Sequence, residues 1–166
     1  MKTFKKGLLI LLMSLTVVAC KKDDDGGDDP QAGEGTLTAK VDGANYTATL
    51  GVTALLSGSG DNQAFAISGG TADSENLQII ITGFDGAGTY DISLLNIGTY
   101  SYLPDPSNPD PSTVVIYTAS SGELNLSSFD GNTAQGTFNF SAANLNNPSD
   151  TVEVTNGEFN IEVTNQ

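Results

Sequence analysis

The sequence predicts an all-β fold, and three observations carry that reading. Apolar and polar residues alternate with period two in window after window from Thr36 onward. From Thr36 onward no window carries a convincing apolar stripe at i, i+3, i+4, i+7. Asp-Gly and Asn-Gly pairs, which supply the positive φ of tight turns, fall between alternating segments.

The elements follow in chain order. Leu37-Ala39-Val41 opens the series. Tyr46, Ala48, Leu50, Val52 and Ala54 then alternate with Thr47, Thr49, Gly51 and Thr53, as in one half-buried strand. The same pattern returns at Leu77-Ile79-Ile81, Tyr90-Ile92-Leu94, Val114-Ile116, Leu124-Leu126, Phe138-Phe140 and Phe159-Ile161-Val163. Frequent Thr suits a pleated, half-exposed surface. Asp42-Gly43 and Asn156-Gly157 read as hairpin turns, and Asp85-Gly86 and Asp130-Gly131 as further punctuation. Pro104, Pro106, Pro109 and Pro111 cannot donate to a ladder, so residues 103–112 form an irregular loop.

A short pattern, Gly followed by alternating polar and bulky apolar residues, starts at Gly88, Gly98, Gly122, Gly136 and Gly157. Its spacing is irregular, which rules out a solenoid. It reads as a strand entry in which Gly ends a turn. About nine or ten strands, each with one solvated face, suit an antiparallel β-sandwich, with a closed β-barrel as the alternative.

Composition narrows the chemistry. The chain has 166 residues, no His, no Arg, no Trp, one Cys and a net charge of −14. One domain is expected at this length. Imidazole ligands and His-paired nucleophiles are excluded, and a chain this acidic offers nucleic acid no basic footprint. Asp85, Asp91, Glu123 and Asp130 are the carboxylates to examine for glycosidase-type acid–base work, but no spacing singles out a pair. In the folded part only Lys40 remains as a base for a Ser nucleophile. We expect no enzyme activity and no cofactor. Calcium is the one ion the oxygen-rich loops suit, at Asp61-Asn62 and at Asp105, Asn108 and Asp110, although neither matches EF-hand spacing.

Residues 1–19 have the form of a signal peptide. Lys2, Lys5 and Lys6 precede an apolar run from Gly7 to Val18. That run of ~12 residues makes roughly 18 Å of helix, against about 30 Å of bilayer core. Residues 20–35 read as a disordered acidic tether, and 36–166 as the single β domain. All 20 acids follow Cys20, and only Lys21, Lys22 and Lys40 remain beside them, so the processed chain carries −17.

Val17-Val18-Ala19-Cys20 resembles the lipobox of bacterial lipoproteins. The resemblance implies cleavage after Ala19 and lipidation of Cys20, with acyl chains as the membrane anchor. Lys21, Lys22, Asp23, Asp24 and Asp25 resemble the export signal of Bacteroidetes-type surface lipoproteins, which implies an outer-membrane, outward-facing location. The segments from Gly35 to Gly43, Gly136 to Ala142 and Val152 to Ile161 are similar to a family of small all-β lipoproteins of unknown function. That family brings no activity to transfer. The expected role is therefore a non-catalytic, lipid-anchored binding or envelope-associated domain, whose partners are the membrane and an envelope protein or glycan. A glycan-binding accessory role is the alternative, with Tyr100 and Tyr102 on one strand face as its platform.

Overall fold

A computed structural model describes residues 35–166. Signal-peptide cleavage, Cys20 lipidation, the Lys21–Asp25 export signal and the tether up to residue 34 lie outside the described residues.

Ten strands account for the fold: β1 (Thr36–Val41), β2 (Ala44–Thr47), β3 (Leu50–Ser57), β4 (Ala64–Gly70), β5 (Glu75–Thr82), β6 (Gly88–Asp91), β7 (Ile97–Tyr102), β8 (Val115–Phe129), β9 (Thr133–Asn144) and β10 (Asn147–Asn165). Two short 3₁₀ turns, Gly60–Asn62 and Pro111–Thr113, interrupt the loops. The chain is all-β, with the expected number of strands.

The strands form one hydrogen-bonded network in the order β2-β1-β10-β3-β4-β5-β7-β8-β6, and β9 bridges β8 and β10. Pairing therefore runs in a circuit from β10 through β3, β4, β5, β7, β8 and β9 back to β10. Every ladder is antiparallel except β3–β10, where Val163, Thr164 and Asn165 run parallel to Ala54, Leu55 and Leu56. The antiparallel expectation is corrected at that one seam.

The β3-β4-β5-β7 layer packs across the long β8-β9-β10 meander. Phe65 on β4 meets Phe129 on β8 edge-on at 6.1 Å, and Phe84 stacks on Phe65 at 4.9 Å. Period two decides which residues enter this core. Leu77, Ile79 and Ile81 on β5, Phe138 and Phe140 on β9, and Phe159 and Ile161 on β10 are all buried. Each full burial stabilises by roughly 1.5–3 kcal/mol.

Two turns behave as read. Asp42 and Gly43 have φ of 48° and 82°, the paired positive angles of a tight hairpin between β1 and β2. Asp130-Gly131 joins β8 to β9, with Asp130 Oδ1 accepting from the N–H groups of Asn132 and Thr133 at 2.8 and 2.7 Å. Those two bonds hold the Asp130 carboxyl below its ordinary range.

Other expectations are corrected. Asn156-Gly157 is a bulge inside continuous β10, not a hairpin: the register shifts between Val154 and Gly157, and Asn156 has φ of 50°. The inward set accordingly changes from Val152 and Val154 to Phe159 and Ile161, a switch of parity that one extra residue requires. The Tyr46–Ala54 alternation breaks at Ala48-Thr49. There Ala48 N–H still donates to Leu37, while Thr49 N–H donates to Gly70, so the chain changes partner from β1 to β4. Leu94 does not continue β6; it is 97 % exposed in a loop closed by Ser93 N–H donating to Asn96. Ile116 points outward and Tyr117 inward, the reverse of the parity expected at Val114-Ile116.

The glycine-led pattern also has a different meaning. Gly98, Gly122, Gly136 and Gly157 sit inside strands, and only Gly88 stands in open space. At Gly157 a Cβ would lie 2.4 Å from the Phe138 ring. At Gly122 (φ 154°) it would lie 2.3 Å from the Asn139 carbonyl oxygen and 2.4 Å from Phe140 Cβ. These glycines let neighbouring chain and rings close over the bends of long strands. The bend at Gly122 lets one edge of β8 pair with β7 over Val115–Thr118 and with β6 over Glu123–Leu126.

Candidate functional site

The hairpin turn after β1 and the ends of β7, β8 and β10 converge on a cleft of about 320 Å³. Four tyrosines line it. Tyr100 and Tyr102 face the same way on β7, separated by one strand period, and Tyr100 stands directly opposite Tyr117 in the β7–β8 ladder. Their three ring centroids are 6.1, 6.1 and 6.4 Å apart. Tyr46, buried on β2, closes the cleft beside Val41 and Asn45.

Each anchored phenol donates to an acceptor. Tyr100 Oη donates to Glu75 Oε1 at 2.7 Å, and Tyr117 Oη to Asp150 Oδ2 at 2.9 Å. Tyr46 Oη donates to the Gly69 carbonyl. The carboxylates are held in turn: Thr71 Oγ1 donates to Glu75 Oε2 at 3.1 Å, and Asn144 Nδ2 to Asp150 Oδ2 at 2.9 Å. Asp42, Glu75 and Asp150 are the ionisable lining groups other than the phenols, and all three are acids.

Burial pushes the Tyr46, Tyr100 and Tyr117 phenols above their ordinary value, with Glu75 adding to the effect at Tyr100 and Asp150 at Tyr117. Tyr117 is pushed up to about 12. A phenol that keeps its proton longer in the folded than in the unfolded chain stabilises the fold below its unfolded value of about 10. That contribution fades as pH rises through the folded value. The melting temperature is therefore expected to fall between about pH 10 and 12, less steeply in Tyr117→Phe. An unchanged alkaline slope in that variant would remove Tyr117 from the account.

The structure brings Tyr100 and Tyr102 together on one face, as the sequence suggests, but not as a platform of open rings. Tyr100 is 6 % exposed and Tyr102 half-buried. Sequence reading missed Tyr46, Tyr117, Glu75 and Asp150. Tyr117 was visible only as an aromatic in the wrong strand parity, and nothing local marks Asp150.

The other candidate acids lie outside the cleft. Asp91 and Glu123 face each other across the β6–β8 ladder, both exposed. Asp85 Oδ1 accepts from Tyr90 Oη at 2.9 Å, and Asp130 serves its turn. In the proline-rich loop, Asp105 Oδ1 accepts from Ser107 N–H and Oγ, and Asp110 Oδ1 from Ser112 N–H and Oγ. These bonds hold both carboxyls below their ordinary range and fix local turns of the loop. Asp61 lines a separate hollow with Asp85. Among the described residues no group of three His, Cys, Asp or Glu side chains is placed to hold a metal ion.

Fold and cleft together define an all-β domain with an acid-rimmed, tyrosine-lined recess at one end of its strands. The chain belongs to the family described as "Domain of unknown function (DUF6252)", whose model matches residues 33–161. No curated protein and no solved structure matches it.

Proposed function

We propose that this chain is a lipid-anchored, surface-displayed, non-catalytic binding module of the outer membrane, resembling Bacteroidetes-type lipoproteins, with the tyrosine cleft as its recognition site. The observation that carries the reading is the placement of the cleft along β1. The chain enters the fold at Thr36, whereas Val41 and Asp42, at the other end of the same strand, line the cleft. Five residue steps at about 3.3 Å separate the two ends by roughly 17 Å. A tether from Cys20 would therefore join the domain at the end of β1 away from the cleft, which leaves the cleft clear of its own attachment point. A recess lined by aromatic side chains with a few fixed polar groups is the usual form of a small-ligand site.

The non-catalytic reading rests on the carboxylates. Glu75 and Asp150 are both occupied as acceptors for phenols, and the one facing pair among the other candidates, Asp91 and Glu123, is exposed on the strand surface outside the cleft. A glycan-binding accessory role is the second reading. It draws on Tyr102, which also borders a shallow hollow with Leu103, Pro104 and Pro106.

Protease treatment of intact cells tests the display: removal of the domain is expected, and full protection overturns the outward orientation. Retention on soluble polysaccharides separates the two readings. The glycan role requires a Tyr100→Ala/Tyr102→Ala variant to lose retention that the parent chain shows.

A further inference from the structure

The charged groups of the cleft have one sign. Three of its four phenol hydrogens, those of Tyr100, Tyr117 and Tyr46, are committed to Glu75, Asp150 and the Gly69 carbonyl. What remains toward a ligand is ring surface, carboxylate oxygen and phenol oxygen, which attract positive charge, and the Tyr102 hydroxyl, which can donate or accept. Asn45 and Thr151, the uncharged polar side chains at the rim, can donate or accept. No Lys lines the cleft, and the chain has neither Arg nor His. An anion would find no cationic partner there and would face three carboxylates.

Size and rigidity point the same way. About 320 Å³ lies at the small end of ligand sites, enough for a compact head group. Tyr102 and Tyr117 stack at 6.4 Å with 22° between their planes, so their rings form a fixed wall. Cation–π attraction acts within about 6 Å of a ring centroid.

We propose that the cleft binds a positively charged amine, with its ammonium head against the Tyr102 and Tyr117 rings and beside the Asp150 and Glu75 carboxylates. The proposal rests on the reading of the cleft as the recognition site and adds the ligand class. Free alkylammonium compounds and the Lys side chain of a partner protein share this chemistry.

The chain supplies its own probe. It has five Tyr and no Trp, and four of the five line the cleft, so tyrosine emission reports on occupancy. Titration with n-butylammonium and tetramethylammonium is expected to give a saturable change. Affinity for these cations should exceed that for neopentyl alcohol, a neutral molecule of similar bulk, by roughly tenfold or more. Asp150→Asn and Tyr102→Leu should each weaken the cations by roughly tenfold; Asp85→Asn should not. Asp150→Asn keeps the side-chain shape, and Tyr102→Leu leaves Asp150 in place, so the two variants check each other.

A Lys-bearing peptide that binds tighter than n-butylammonium and is released by acetylation identifies a protein side chain as the source. Equal affinity of peptide and amine identifies the free amine. Neopentyl alcohol binding as well as the cations, or cation binding intact in both variants, overturns charge selection while leaving the cleft a site. If neither the cations nor the alcohol alters the emission, and polysaccharides are not retained, the cleft is not a recognition site at all.

Discussion

Gly122→Ala is expected to destabilise the domain by about 3–4 kcal/mol, combining overpacking with a backbone angle that L-residues avoid. The added Cβ would lie 2.3 Å from the Asn139 carbonyl oxygen and 2.4 Å from Phe140 Cβ, and no side-chain rotation relieves a clash with backbone. Phe140 is buried in the core, so β9 cannot retreat without opening it. The strand can escape only by straightening. That would disturb its pairing with β7 on one side of the bend or β6 on the other. A fall of roughly 10 °C in melting temperature follows from the size of the domain. Gly88→Ala, in open space on β6, supplies the control and should stay within about 0.5 kcal/mol. If the two variants melt together, β8 is not bent as described.

Cys20→Ser is expected to release the protein from the cell envelope. Each acyl chain of a dozen or more methylenes at ~0.8 kcal/mol apiece contributes on the order of 10 kcal/mol of membrane affinity, and two such chains hold effectively permanently. After Cys20 only three Lys remain against 20 acids, a balance that anionic lipid repels. Among the described residues no helix is long and apolar enough to cross a membrane. Fractionation should find the variant in the soluble pool, and mass spectrometry should find diacylglyceryl on the parent Cys20 alone. An unmodified thiol in the parent, or a variant that still pellets with envelopes, removes the anchor from the proposal. The cleft and its ligand are unaffected by that outcome.

Strands with clean alternation were legible in the sequence. Phe138-Phe140 alternates with polar residues and Leu77-Ile79-Ile81 with Gln78 and Ile80, and both are inward sets of single strands. β4 was not legible. Its sequence, Ala-Phe-Ala-Ile-Ser-Gly-Gly, puts alanine and glycine on positions where alternation needs polar groups. Asn156-Gly157 misled for a related reason: the positive φ that makes a hairpin also makes a bulge, and only the partner strand decides between them. The cleft was half visible. Tyr100 and Tyr102 share a face by strand period alone, whereas Glu75 is 25 residues from its Tyr100 partner and Asp150 33 residues from Tyr117.

By itself, the sequence determined the all-β class, the acidic charge, the absence of imidazole chemistry and the pairing of Tyr100 with Tyr102, because composition and period two are local properties. Only the tertiary structure decided that β8 and β10 run unbroken through their glycines, that β3 lies parallel to β10, and that Tyr46, Tyr117, Glu75 and Asp150 share one recess. Those outcomes depend on which strand becomes whose neighbour. Neighbours are chosen by burying a common core across long separations, and no local pattern encodes that choice.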